Sequence, residues 1–317
     1  MTPGRLAGLL AAAGLWALAS MEAAGAALIQ VRGEPLAGGR LRGRASVPLE
    51  KAHGGDTPVL TFRSGAATVR LLLDTGAASA LVRPELAQRL GLPLQPLAPG
   101  AMELAGGGAE CPGLRPRRTV LPTLRLLGGS LELRGLEALV LPVAALPSGI
   151  DGVLGAPSLR QLPLLVDPIQ GSLRFGADAL APPPGLTSDS PPWRLPLEWR
   201  LGVPLLGLPT RGGRVVMALA DTGAEGLFLS PALAARLPVA GTASSLRLVG
   251  FCGEQPVTRQ RFAGWAVPGA PAVLEGIVTD NAVFRQLTVE AIAGQELLRQ
   301  RRQRWRLDLA RPHLELW

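Results

Sequence analysis

The tripeptide Asp-Thr-Gly is written twice in this chain, at Asp74-Thr75-Gly76 and Asp221-Thr222-Gly223, and each copy closes an apolar run, Leu71-Leu72-Leu73 and Leu219-Ala220. One copy constrains little, because Asp and Gly are ordinary turn residues. Two copies in matching surroundings constrain a great deal. Asp74 and Asp221 stand 147 positions apart, and so do Pro84 and Pro231, which open the segments Pro84-Glu85-Leu86-Ala87-Gln88-Arg89-Leu90-Gly91 and Pro231-Ala232-Leu233-Ala234-Ala235-Arg236-Leu237. A constant offset over two elements marks an internal duplication. The expectation is that one carboxylate from each copy meets its partner in a single site.

The rest of the repeat follows in order. Val47-Pro48-Leu49-Glu50 corresponds to Leu195-Pro196-Leu197-Glu198, and Thr57-Pro58-Val59-Leu60 to Val203-Pro204-Leu205-Leu206. Strands are expected over 57–63 and 67–73, turned by Ser64-Gly65, with a short strand Ala80-Leu81-Val82 beyond the first Asp-Thr-Gly. Pro84 and Gly91 bracket a short helix, and Ser230 caps its counterpart. Each half then carries a glycine-rich polar stretch between apolar runs, Leu104 to Cys111 and Leu248 to Glu254, which reads as a β-hairpin with a flexible tip. Each continues to an apolar-apolar-Gly segment before a short helix, Val153-Leu154-Gly155 and Ile292-Ala293-Gly294. Each closes on a hairpin, 165–175 and 306–316.

Composition agrees with a turn-rich β protein. The 317 residues include 40 Gly and 30 Pro without period, 47% hydrophobic and 18% charged, enough apolar material for two cores. The domains read as residues 27–180, a Pro-rich linker over 181–192, and residues 193–317. Residues 1–26 read as an export signal: Arg5, the apolar run Leu6 to Ala19, then small residues from Ala24. This points to a periplasmic or secreted protein. Retention of the run as an uncleaved membrane anchor is the alternative, although it falls short of the ~20 residues of a span. The net charge of +8 is almost all arginine, Lys51 being the one lysine. The runs Arg115 to Arg118 and Arg299 to Arg306 read as solvated faces, and no nucleic-acid partner is expected. His53, His313, Cys111 and Cys252 have no metal-ligand spacing, so no metal or other cofactor is expected. The two cysteines fall one in each half, at or near the glycine-rich tips. A disulfide between the tips and two unlinked thiols are both open.

On the paired Asp-Thr-Gly-Ala motifs and the later Val153-Leu154-Gly155 and Ile292-Ala293-Gly294 segments, the chain resembles the aspartic peptidases of the pepsin and retropepsin clan, from about Val47 to the end. The resemblance implies an all-β fold with few short helices: two pseudo-symmetric, closed β-barrel-like lobes of the acid-protease type with a cleft between them, similar to two fused retroviral subunits. It implies Asp74 and Asp221 as the catalytic pair, with Thr75 and Thr222 bonding across the lobe boundary and Gly76 and Gly223 turning the backbone tightly beside the carboxylates. Ser79 stands where the family often carries a hydroxyl near the aspartates. Flaps over the substrate would draw on Gly106, Gly107 and Gly108 in one half and Gly250, Phe251 and Gly253 in the other. Two departures stand out. There is no tyrosine in the sequence, so a pepsin-type flap tyrosine is absent, and Glu225-Gly226 replaces Ala78-Ser79 in the second copy.

Two carboxylates close together cannot both ionise freely, so the pair holds one proton. The ionised member can activate a water and the protonated member can polarise a peptide carbonyl. The implied activity is that of an exported, monomeric aspartic endopeptidase acting on peptide or protein substrates, with membrane contact only through an uncleaved N-terminal segment. The competing reading is a peptide-binding module that keeps the fold without hydrolysis. Asp151, Asp167 and Asp308 read as turn residues.

Overall fold

The computed structural model describes residues 28–107, 115–143, 145–186 and 191–317. The expected leader over 1–26, Gly108, Cys111 and residues 187–190 of the linker lie outside them. No helix among the described residues is long and apolar enough to cross a membrane.

In the first half six strands close on themselves. Pro58–Ser64 pairs antiparallel with Ala67–Asp74, the chain reversing at Gly65, whose φ of +57° suits glycine. Ala67–Asp74 pairs in parallel with Gly152–Gly155, which lies antiparallel to Ala80–Val82. Ala80–Val82 pairs in parallel with Glu132–Val140, and Leu124–Leu126 joins that strand back to Pro58–Ser64. Leu60, Phe62, Val69, Leu71, Leu73, Leu133 and Leu154 are buried inside. The period-two alternation of strand side chains sends every second residue inward, and closure leaves no free edge.

The second half repeats the path. Val203–Pro209, Val215–Ala220, Ala291–Ala293, Leu227–Leu229, Val273–Val278 and Gly253–Ala263 follow one another around the lobe. Here closure is a single bridge, Thr210 to Trp265, with Arg211 N–H donating to Gly264 O at 2.8 Å. Among the described residues the fold is mostly β with six short helices, in line with the expected few short helices. Ser230 caps Pro231–Ala234 by accepting from Leu233 N–H at 3.2 Å. The helix Ala282–Leu287 has no expected counterpart in the sequence reading. Asn281 caps it by accepting from Val283 N–H at 2.9 Å.

The two halves share a six-stranded antiparallel sheet, Ala45–Pro48, Ser172–Phe175, Leu164–Asp167, Gln303–Arg306, His313–Leu316 and Trp193–Arg200 in spatial order. Trp305 sits opposite Leu164 in this sheet and is fully buried. The basic run at 299–306 is therefore not a uniformly solvated face. Arg302 is buried, with Nε 3.3 Å and 3.2 Å from the two carboxylate oxygens of Asp167. Asp167 also accepts from the amides of Ile169 and Gln170, which is the turn role expected of it.

Two N-terminal strands were not legible as such. Gly38–Arg42 pairs with Glu132–Val140, and Leu28–Arg32 pairs with Glu103–Gly106 in a separate two-stranded sheet. The second pairing changes the expectation for the first glycine-rich stretch. Among the described residues its rising strand is hydrogen-bonded to the N-terminal strand and not to its own return strand, Arg117–Val120, which pairs with Gln95–Pro96 and Glu132–Val140.

Removing one member of a buried ion pair strands the other, at about 3–5 kcal/mol. Asp167→Ala is expected to lower the urea midpoint of unfolding by the equivalent of that amount, whereas Asp280→Ala, whose side chain is 78% exposed in its pair with Arg285, leaves it within about 0.5 kcal/mol.

Candidate active site

Each Asp-Thr-Gly lies where a strand leaves its barrel, and the strand's own neighbours aim it. Asp74 ends Ala67–Asp74 opposite Gly155, and Asp221 follows Val215–Ala220, its N–H donating to Ala293 O at 3.1 Å. The apolar-apolar-Gly segments end in glycine because another loop crosses them there. A Cβ on Gly155 would stand 2.6 Å from Ala77 O, and one on Gly294 2.2 Å from Ala224 O.

The loops meet reciprocally. Thr75 Oγ1 donates to Ala220 O at 2.7 Å and accepts from Thr222 N–H at 3.0 Å. Thr222 Oγ1 donates to Leu73 O at 2.8 Å and accepts from Thr75 N–H at 3.0 Å. Both threonines are completely buried. These four bonds cross from one half to the other and satisfy backbone groups that have no water to turn to.

That lattice brings the carboxylates together. Asp74 is 2% exposed and Asp221 0%, so both are stripped of solvent. Asp74 Oδ1 accepts from Gly76 N–H at 2.8 Å, and Asp221 Oδ1 accepts from Gly223 N–H at 2.8 Å and Ala224 N–H at 3.1 Å. Each glycine also makes room for the opposite carboxyl. A Cβ on Gly76 would fall 2.3 Å from Asp221 Cγ, and one on Gly223 2.4 Å from Asp74 Cγ. No other residue type fits either position with the pair in place.

Burial holds the Asp74 carboxyl well above its ordinary value, and the charge of Asp221 adds to the effect. Burial raises Asp221 to about 6, against hydrogen bonds from Asp74 and from the amides of Gly223, Ala224 and Gly76. Asp221 Oδ2 is buried and receives no amide or hydroxyl donor. A proton held between the two carboxyls would supply one. The geometry thus describes two acids holding a shared hydrogen, and their titration belongs to the pair.

Two supporting residues were not anticipated. Gln295 is buried and donates from Nε2 to Thr222 O at 2.7 Å. Glu225, noted in the sequence only as a departure, reaches into the first half. Its carboxylate accepts from Asp56 N–H at 2.7 Å and Thr57 N–H at 2.9 Å, and from the Thr57 hydroxyl. A signal existed for Gln295, since it follows the Gly294 that ends the second apolar-apolar-Gly segment. Nothing in the sequence announces the partner of Glu225.

The second glycine-rich stretch is a hairpin, Ser244–Gly250 with Gly253–Ala263, turned at Phe251 and Cys252. Gly250 pairs with Gly253 at its end, and Gly253 has φ of +106°. This tip meets the other half: Cys252 N–H donates to Gly107 O at 3.0 Å, and a Cβ on Gly106 would lie 3.0 Å from Cys252 Sγ and 3.3 Å from Phe251 Cβ. Cys252 is disulfide-bonded. Ser79 is buried, and its hydroxyl donates to Gln30 Oε1 at 3.3 Å. Asp151 takes a structural part, accepting from Arg70 N–H at 2.8 Å and bonding Arg89.

Thr222→Val keeps the shape but leaves Leu73 O and Thr75 N–H without partners, at about 1–3 kcal/mol each. Chemical denaturation is expected to show a loss of about 2–6 kcal/mol in this variant and little in Thr222→Ser. The pair also sets a pH signature. Its folded values lie above the ordinary 3.8, so above that pH the folded protein binds more protons than the unfolded chain. The stabilisation is complete below 3.8 and is lost as pH rises toward about 6 and beyond. Each retained proton contributes a limiting slope of about 1.4 kcal/mol per pH unit. The wild-type stability minus that of Asp221→Asn should fall over this window. A flat difference would mean that the carboxyls do not share a buried site.

A family model described as aspartyl protease matches residues 60–158, the part of the first half that contains Asp74-Thr75-Gly76. Two solved structures resemble the whole at low identity. Basic 7S globulin from soybean is 12% identical with a TM-score of 0.45, and conglutin gamma, a basic 7S globulin from lupine seeds, is 12% identical with a TM-score of 0.43. In each case 86% of this chain and 94% of the other are covered. No curated protein matches the chain.

Proposed function

We propose that the protein is an aspartic endopeptidase. The observation that carries the reading is the buried carboxyl pair, one acid from each half, with raised proton affinities and loops locked by four reciprocal threonine bonds. A binding surface has no use for two desolvated acids that cost stability whenever both ionise.

In the hydrolytic reading a water lies between the carboxyls. The ionised acid takes its proton as it attacks the peptide carbonyl, and the protonated acid hydrogen-bonds the carbonyl oxygen as it gains charge. Collapse of the tetrahedral intermediate delivers a proton to the departing nitrogen and restores the one-proton pair. The amides of Gly76, Gly223 and Ala224 keep the carboxylate oxygens oriented throughout. The tips around Gly106, Gly107, Phe251 and Cys252 meet across the two halves, and in this reading they cover the bound peptide and exclude bulk water during the reaction.

The test is cleavage of a mixed peptide library from acid to neutral pH by the wild type and by Asp74→Asn and Asp221→Asn. Loss of general acid–base action is expected to lower kcat/KM about 10²–10⁴-fold in each variant. Cleavage that survives either substitution contradicts the mechanism. Binding of a statine-containing peptide with no cleavage by any form would favour the peptide-binding module.

A further inference from the structure

The outer wall of the first barrel carries a row of arginines. Arg42 lies opposite Glu132, Glu132 opposite Arg125, and Arg125 opposite Arg63, so one line crosses four neighbouring strands. Residues opposite one another in a sheet share a face. Their neighbours in sequence, Leu41, Phe62, Leu124, Leu126 and Leu133, are buried, so the face of the row is the outward one. Two residues along, Arg40 lies opposite Arg134 and joins it. Three strand spacings make the row roughly 14 Å long.

The charge of this wall is not balanced. Glu132 is the one acid in the row, and it is shared by Arg125 at 3.0 Å and by Arg134. Those two arginine side chains stay 67% and 64% exposed. Arg40, Arg42 and Arg63 are exposed, and no carboxylate pairs with them among the described residues. By contrast, Arg214 and Arg236 converge on Glu290, and Arg285 meets Asp280. An excess of guanidinium over one wall favours an anionic partner. One apolar side chain stands in the same face. Leu127 N–H donates to Thr61 O at 3.0 Å, which carries the pairing of Leu124–Leu126 one residue further. The alternation of the strand then puts Leu127 on the side of Arg125, 41% exposed. None of these outward side chains is aromatic, so a nucleic-acid base has no stacking surface among them. Arginines that fork onto phosphate, with an exposed leucine beside them, match the boundary between lipid headgroups and acyl chains.

We propose that this wall of the first barrel docks on a bilayer surface rich in anionic phospholipid, the arginines meeting headgroup phosphates and Leu127 entering the boundary beneath them. The contact belongs to the folded barrel. It needs neither the apolar run at residues 6–19 nor the peptidase reading.

The test is flotation of the full chain with vesicles of phosphatidylcholine, alone or mixed with phosphatidylglycerol. Any hold by the apolar run appears on both vesicles, so the increment on the anionic ones reports the wall. Each arginine near such a surface strengthens binding roughly fivefold, so R42Q/R63Q is expected to cut the increment about tenfold or more. R42K/R63K, which keeps the charge, should retain it. R211Q/R311Q removes the same charge from exposed sites in the second half and should change it little. Salt at about 0.5 M should erase it. L127S should weaken vesicle binding about threefold and leave binding to heparin unchanged. No increment on anionic vesicles overturns the proposal. Equal losses in R42Q/R63Q and R211Q/R311Q also overturn it, since net charge alone would then act. So does heparin or duplex DNA displacing the vesicles while L127S has no effect, which would assign the wall to a soluble polyanion.

Discussion

Two carboxyl groups cannot be buried side by side unless something else holds them there. In this chain the restraint is the reciprocal bonding of Thr75 and Thr222, each hydroxyl donating to a carbonyl of the opposite strand and accepting the amide of the opposite threonine. All four bonds are sealed from water, so none can be traded for hydration. Because each threonine adjoins its aspartate, fixing the threonines fixes the acids. The shared six-stranded sheet, with Trp305 and the Asp167–Arg302 pair inside it, holds the two barrels so that the loops face each other.

The two halves follow the same strand path but the site is not symmetric. The first loop bears Ala78 and Ser79, which bond the N-terminal strand. The second bears Glu225, turned back onto Asp56 and Thr57, and is braced by Gln295. One loop therefore receives an extended chain where the other extends a carboxylate strap to the opposite half. Both acids are steadied by amides of their own loops, Asp74 by Gly76 and Asp221 by Gly223 and Ala224.

Much of the architecture could be read from residues. The constant spacing of Asp74 and Asp221 and of Pro84 and Pro231 announced two equal units, and the strands, short helices and closing hairpins follow it. Gly76 and Gly223 were legible as tight turns, but not as the space each leaves for the opposite carboxyl. That depends on contacts with a carboxyl in the other half, Gly76 with Asp221 and Gly223 with Asp74. The Glu225 strap and the burial of Arg302 were hidden for the same reason, since both partners lie in the other half. Leu28–Arg32 was not legible as a strand because Leu-Ile-Gln-Val-Arg has no local partner and pairs only with the distant strand Glu103–Gly106.

The central claim is that Asp74 and Asp221 hold one hydrogen between them, and the most direct measurement is a carboxyl ¹³C NMR titration of aspartate-labelled protein, assigned with the two Asn variants. The account predicts two linked steps belonging to the pair, both displaced upward from the ordinary 3.8, with each variant collapsing them to a single step. Independent titration of both carboxyls near 3.8, unaffected by replacing the other, would contradict it.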